Sequence, residues 1–202
     1  MARALRPAKH LTEGQIDQLV ENAERGILIE CARRTGKTIY LKSGIGPDVP
    51  PEVIPKVKRI PEEAEILARA LLPDTDLNAG GVAYDQWLTQ ALVAGTELNF
   101  VVAQQIRTDQ VVAIFGVGTL SASPAISRVR LMTGTSVVLA AWDTTPLWAA
   151  EATIGYADEY ALWSVQEIIN VWLMPFLANA AGERFVLLGL IAEPKGTGPV
   201  TK

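Results

Sequence analysis

The spacing of hydrophobic residues differs between the first and second parts of the chain. In the first part, apolar residues such as Ile16, Leu19 and Ala23 recur at helical spacing. From about residue 97 onward, short runs rich in valine, isoleucine and aromatic residues alternate with glycine, serine, proline and aspartate. The change of period predicts a helix- and hairpin-containing N-terminal region over 1–96 and a β-sandwich or barrel over 97–202.

The N-terminal region begins with a basic arm, residues 1–10, which we expect to be mobile. Thr12 and Gln15 have the spacing of a capping box, so a helix should begin here, and Gly26 is a plausible C-terminal stop. The apolar run 27–32 reads as a strand, and 38–42 reads as a second strand. Together they predict a hairpin, and 27–42 could belong to the same domain as the sandwich.

The stretch that follows the predicted hairpin is rich in proline. Residues 43–61 contain five prolines and two glycines, which indicates an extended connector. Pro61 occupies a favoured first position for a helix, which should run through Leu71 and stop before Pro73. A third short helix is expected at 83–94.

The C-terminal half predicts strands bounded by turn residues, at 98–102, 111–117, 126–132 and 136–142. Residues 158–181 fit two structures. They could form a helix ending near Met174, or a strand over 167–177 that pairs back with 184–191. Pro175 would break a helix interior but is allowed at a sheet edge, and regular strand spacing on both sides favours the strand.

Charge is unevenly distributed. The 202-residue chain has a formal net charge of −4, which argues against wholesale coating of nucleic acid. Residues 1–100 hold 12 Lys/Arg and 14 Asp/Glu, whereas 101–202 hold 6 and 8. A surface so sparse in charge often contacts other protein. No apolar run reaches the ~18 residues of a membrane-spanning helix, and the N-terminus lacks the apolar core of a secretory signal.

Few residues are candidates for catalysis. Cys31 is the single cysteine and His10 the single histidine, so a cysteine-built zinc site, a Ser-His-Asp triad or a multi-histidine metal site is not expected. The carboxylate pairs Asp74/Asp76 and Asp158/Glu159 have no spacing that selects them for acid–base work. We therefore expect no enzyme activity, no cofactor, no metal and no small-molecule substrate.

Gly36-Lys37-Thr38 is the candidate phosphate site. It matches the end of a phosphate-binding loop, but the position that needs the first glycine holds Cys31. Residues 31–38 resemble the variant loop of viral genome-packaging motors, in which an arginine-rich stretch precedes Gly-Lys-Thr or Gly-Lys-Ser. Glycines and a proline soon after Thr38 leave little room for the helix that such a loop must begin. A hairpin turn over 33–37 is favoured, and a nucleotide site remains the alternative.

Basic and aromatic side chains are the remaining candidates for function. Four of the five tryptophans, Trp142, Trp148, Trp163 and Trp172, are expected to be mostly core residues, with one or two at a subunit contact. The candidates for an interface or an anionic surface, such as a membrane or a genome, are Arg3, Arg6, Lys9, Arg33, Arg34, Lys37, Trp148 and Trp172.

A series of segments in the second half resembles a known family. In order they are 111–120, 123–130 leading to Thr133-Gly134, Trp142-Asp143, Leu147-Trp148, Gly155-Tyr156 and 185–196. Over residues 97–199 they resemble the single jelly-roll capsid proteins of tailless icosahedral, membrane-containing viruses of bacteria and archaea. The resemblance implies a mainly β, jelly-roll-like sandwich with an N-terminal helix-containing arm or insertion.

That resemblance also implies a function. The chain would be a capsid or shell component without catalytic activity, assembled in the host cytoplasm and located in the virion. Its partners would be copies of itself, other virion proteins and, through the basic arm, a viral membrane or genome. A nucleotide-binding protein and a ligand-binding β-sandwich are the alternatives.

Overall fold

The fold is built from two β-sheets and one long helix. A computed structural model describes residues 2–35, 64–71, 76–77, 89–107, 110–119, 121 and 124–194. The strands are β1 (Arg3–Ala4), β2 (Arg6–Pro7), β3 (Ala64–Ala70), β4 (Leu98–Gln105), β5 (Val111–Thr119), β6 (Ile126–Thr133), β7 (Val137–Asp143), β8 (Ile154–Trp163), β9 (Ile168–Pro175) and β10 (Phe185–Pro194). The α-helices are α1 (Glu13–Thr35) and α2 (Thr145–Ala149), and a 3₁₀ turn covers Ala8–His10.

The order of the strands defines the topology. Sheet I has the order β1-β7-β6-β9-β4, and sheet II has the order β2-β8-β5-β10-β3. From β3 to β10 the chain crosses between the sheets at every connection except the β6–β7 hairpin. Four long strands in each sheet with this order form a jelly roll, in which two Greek keys close into a sandwich. The predicted fold class, mainly β and jelly-roll-like with an N-terminal helix, is confirmed.

The space between the sheets is filled with apolar side chains. Trp163, Phe185, Ile114 and Leu131 are among the largest fully buried side chains, and they belong to one continuous core cluster. Phe100 packs edge-on against Phe185 with ring centroids 5.3 Å apart. The sheets therefore enclose a packed core.

Helix α1 covers the outer face of sheet II. Leu19, Ala23 and Ile27 lie four residues apart on one face of the helix and are buried against strand residues that include Phe115 and Leu190. Burying a leucine or isoleucine side chain contributes ~1.5–3 kcal/mol. Every residue of β5 is consequently buried, because the strand has the sandwich core on one side and α1 on the other.

The beginning of α1 agrees with the sequence analysis, and its end does not. The backbone N–H of Thr12 donates to Gln15 Oε1 (3.0 Å) and the Gln15 N–H donates to Thr12 Oγ1 (3.3 Å), so the capping box is confirmed. The expected stop at Gly26 is wrong. A Cβ at Gly26 would lie 2.2 Å from Tyr160 Oη, so this glycine lets the helix approach β8 closely.

The strand predicted at 27–32 is also wrong, because these residues continue α1. Ile27 extends the buried face of Leu19 and Ala23 by one more turn, and that packing favours the helix. The second strand of the predicted hairpin, at 38–42, and the connector at 43–61 lie outside the described residues.

The helix predicted from Pro61 through Leu71 is wrong where the chain is described. Residues 64–70 form β3, which pairs antiparallel with β10 from Ala70 opposite Leu188 to Ala64 opposite Pro194. The run AEILARA contains good helix formers, but the ladder with β10 outweighs local propensity. The sandwich therefore includes residues that precede position 97.

The strands predicted in the second half are confirmed as β4, β5, β6 and β7. Residues 158–181 contain the end of β8 and all of β9, so the strand alternative is correct. Its predicted pairing with 184–191 is wrong, because β9 lies between β6 and β4 in sheet I while β10 lies in sheet II. Residues 89–94 of the predicted third helix are not helical, and Leu92 bridges to Asn179; residues 83–88 lie outside the described part.

Two glycine-to-alanine substitutions test the packing of this fold. A Cβ at Gly189 in β10 would lie 2.2 Å from the carbonyl oxygen of Ala113, whereas one at Gly14 in α1 would meet nothing within 4 Å. We expect G189A to lower the free energy of unfolding by ~1–3 kcal/mol, because a backbone atom cannot move aside easily. Matched substitution G14A should raise it by ~0.5–1 kcal/mol. Urea denaturation measures both, and equal effects would contradict this packing.

Candidate functional site

The N-terminal strap, defined as residues 3–7, closes part of one side of the sandwich. Its first two residues form β1, which pairs parallel with Trp142 and Asp143 of β7. Its last two form β2, which pairs antiparallel with β8. Between them Leu5 is 1% exposed within the main core, and its N–H donates to the carbonyl of Asp143 (3.0 Å). The strap therefore joins the edges of the two sheets.

The basic residues of this segment contact the body of the protein. Arg3 pairs with Glu159, and Arg6 pairs with Asp158 at 3.1 Å. Lys9 donates from Nζ to a backbone carbonyl beside α2. The expectation of a mobile arm is wrong for residues 3–10, because Leu5 and the two short ladders hold them. All three cations keep exposed side chains, but Arg3 and Arg6 are partly neutralised.

The candidate phosphate loop has the wrong element in front of it. A phosphate-binding loop follows a strand, and here the residues before Gly36 belong to α1. Arg33 and Arg34 lie in the last turn of that helix, which contradicts the predicted hairpin turn. Gly36, Lys37 and Thr38 themselves lie outside the described residues. The strand that should precede a phosphate-binding loop is therefore replaced by a helix.

The lone cysteine is held in α1. Burial, together with the smaller effect of the neighbouring Glu30 carboxylate, raises the pKa of the Cys31 thiol to about 11. Glu30 in turn accepts a hydrogen bond from the Ser164 hydroxyl at 2.6 Å, which ties the helix to the turn between β8 and β9. A thiol with so high a pKa is a poor nucleophile near neutral pH.

The tryptophans have two different roles. Trp142 and Trp163 are buried core residues, as expected for most of the cluster. Trp148 is half-buried in α2 and donates from Nε1 to the carbonyl of Ile126 (2.7 Å). Trp172 lies in β9 with the guanidinium of Arg130 above its ring, 5.5 Å from the centroid. Of the two tryptophan candidates for an interface, only Trp172 forms part of a polar surface.

The outer face of sheet I carries that polar surface. Arg128 and Arg130 in β6 both donate to Glu97, at 3.2 and 2.7 Å. With Trp172 they form a partly exposed group in which one carboxylate is shared by two guanidinium groups. No described element covers this face, in contrast to the outer face of sheet II beneath α1. The two faces of the sandwich are thus chemically different.

A buried carboxylate organises the opposite end of the sandwich from the β6–β7 hairpin. Glu183 Oε2 accepts hydrogen bonds from the backbone N–H groups of Ala125 (2.6 Å) and Ile126 (2.9 Å), and Oε1 accepts one from the Thr119 hydroxyl (3.3 Å). Burial raises the pKa of Glu183 and outweighs these hydrogen bonds, which lower it. Glu183 has no local sequence signal, because its partners are far from it in the chain.

Exposed apolar residues concentrate at one strand edge. Val137, Val138 and Leu139 at the start of β7 are 54%, 46% and 38% exposed. Beyond them a groove of about 320 Å³ lies between the edges of β7 and β8 and is lined by residues that include Ala140 and Tyr160. A signal was present in the sequence, since residues 134–141 contain no charge. A smaller exposed group, Val93, Phe176 and Leu177, lies at the other end of the sandwich.

Two kinds of feature are absent from the part of the chain that the structure describes. Among the described residues, no three His, Cys, Asp or Glu side chains are grouped closely enough to hold a metal ion. In the same ranges, no helix has the length and apolar character needed to cross a membrane.

Comparison with protein families and curated proteins identifies no relative of the chain. No protein-family model and no curated protein matches the chain. The fold and its surfaces are therefore the guide to function.

The strap supplies a first prediction at this site. Truncating Leu5 to alanine should lower the free energy of unfolding by ~2–5 kcal/mol, because a fully buried side chain is lost. The matched variant R3A removes an exposed ion pair and should cost less than ~1 kcal/mol. Chemical denaturation of both variants makes the comparison. A larger effect for R3A would mean that charge, and not apolar burial, holds the strap.

A second prediction concerns pH. Glu183 binds its proton more tightly in the folded protein than in the unfolded chain, so its contribution to stability falls as pH rises from the ordinary glutamate value of 4.5 through the raised pKa. The stability of wild type relative to E183Q should therefore decrease over that range. E183A leaves two buried amides unpaired and should cost ~1–3 kcal/mol at the acidic end of that range, where Glu183 stabilises the fold most. Urea denaturation between about pH 4 and 8 provides the test, and a wild type that gains stability relative to E183Q as pH rises would contradict the prediction.

Proposed function

We propose that the chain is a structural protein of a virus shell, which assembles with copies of itself and with other shell proteins and carries no catalytic activity. The observation that supports this most is the order of the eight long strands, β8-β5-β10-β3 facing β7-β6-β9-β4. Viral capsid proteins use this jelly roll, as do lectins and cupins. The fold is therefore shared with ligand-binding proteins, and other features must separate the two.

The packed interior favours a function at the outer surface. Jelly rolls and barrels that hold a ligand internally need space between the sheets, and here Trp163, Phe185 and Leu5 fill it. The exposed apolar edge of β7 and the uncovered face of sheet I are the surfaces that other protein copies could bury. The helix in front of Gly36 leaves the nucleotide-binding alternative without its strand.

A contact with a membrane or genome through the basic arm has weaker support. Arg3 and Arg6 face Glu159 and Asp158, so the charge available to an anionic surface is reduced. The proposal therefore makes protein–protein contact the main function. It places the protein in the virion, after assembly in the host cytoplasm.

Self-association tests the proposal directly. Sedimentation velocity and negative-stain electron microscopy over rising protein concentration should show discrete oligomers or extended shell-like assemblies, because a shell protein buries large apolar contacts between copies. A thermal-shift panel of glycans and nucleotides with magnesium should leave the melting temperature unchanged. A protein that stays monomeric at every concentration would overturn the proposal, and binding of one of those ligands by the monomer would favour a ligand-binding sandwich.

A further inference from the structure

The outer edge of β7 is only partly covered. On its inner side β7 pairs with β6 from Val137 to Asp143, except at the bulged Leu139. On its outer side the strap pairs with Trp142 and Asp143 alone. Among the described residues, no strand lies against the outer side of 137–141. The outward backbone N–H and C=O groups of such an edge can pair with an added strand.

This edge lacks most of the features that keep strand edges apart. Proteins protect edges with charged residues, proline, bulges or a covering element. The opposite edge of sheet I, β4, has two irregularities against β9, and Ala103 adopts a positive φ of 48°. In β7 the register shifts once, at Leu139, and the sequence Val-Val-Leu-Ala-Ala has neither charge nor proline. The pairing of β1 with Trp142 and Asp143 shows that this edge accepts an extended segment.

We propose that residues 137–141 of β7 pair antiparallel with the same residues of a second copy, which joins sheet I of two molecules into one continuous sheet. This inference rests on the proposed function and identifies one of its contacts. The interface would be two-fold symmetric, so the same strand supplies both sides. Four long strands from each copy would then form the joined sheet.

The sequence of the strand is complementary to itself in this arrangement. With the two-fold axis at Leu139, Val137 lies opposite Ala141 of the second copy, and Val138 lies opposite its Ala140. Each valine thus meets an alanine, Leu139 meets Leu139 of the second copy on the axis, and the paired residues carry no charge, while Arg3, Asp158 and Glu159 line the adjacent groove. The added strand would also cover the groove of about 320 Å³ that Val138 and Ala140 line.

Neighbouring structure limits the register. Moving the axis toward Trp142 would bring the second copy against β1, which occupies the edge at 142–143. Moving it the other way would place the pairing in the hairpin turn, where Gly134 has a φ of 60°. The two limits on the register and the valine–alanine match both apply to pairing with an identical strand. They give no preference to a strand from an unrelated protein. A second copy is therefore the occupant that fits.

A cysteine placed on the proposed axis tests the contact. L139C should form a disulfide-linked dimer under mild oxidation, because the two thiols would face each other across an antiparallel pair. The matched control is V102C, an exposed valine on the β4 edge, and wild type contains only the Cys31 thiol with its raised pKa. Linked dimer should form about tenfold or more faster in L139C than in V102C, since pairing raises the effective thiol concentration toward ~mM.

A charge on the axis is the complementary test. L139K would place two ammonium groups opposite each other and should raise the dimer dissociation constant about tenfold or more, whereas V102K should leave it unchanged. Circular dichroism and thermal unfolding confirm that both variants are folded. If wild type self-associates but L139C links no faster than V102C, or L139K associates as wild type does, this edge is not the contact and only this inference fails. A wild type that stays monomeric removes both this inference and the shell proposal.

Discussion

Burial of β5 on both faces is the constraint on which the rest of the structure depends. All nine residues of Val111–Thr119 are buried, which no strand of a simple two-layer sandwich would require. One face contributes to the core between the sheets, and the other needs a cover of its own. Helix α1 provides it with Leu19, Ala23 and Ile27. The molecule thus has three layers, and its N-terminal helix is a structural part of the β-domain.

Closure of the sandwich follows from a second, smaller set of contacts. The strap joins β7 to β8 through Leu5, while Glu183 ties the connection between β9 and β10 to the start of β6. Both devices link segments that are distant in sequence, and both lie where the sheets would otherwise open. Within the described part of the chain, no element covers the other part of the β7 edge or the outer face of sheet I. A protein that works by contact with its own copies would use such surfaces.

Strand positions in the second half could be read from the sequence with fair accuracy, and those in the first half could not. Short runs of β-branched residues between turn residues have few alternatives, so β4 to β7 were found. The predictions for 27–32 and 64–70 were wrong in opposite directions. Apolar residues at 27–29 looked like a strand but extend the face of a helix, and the helix-forming run AEILARA pairs with β10. In both, long-range packing outweighed a weak local preference.

The sequence by itself determined that the chain is mainly β, that α1 begins with a capping box, and that histidine and cysteine are too few for the common catalytic or metal sites. Only the tertiary structure decided which sheet each strand joins, that Arg3 and Arg6 meet carboxylates, and that the uncharged run 137–141 lies at an edge. The physical reason is the range of the interactions. Caps and turns act within a few residues, whereas strand order and ion pairs join positions that are far apart in the chain. Many different strand pairings satisfy the same local pattern, so the pattern alone does not select one.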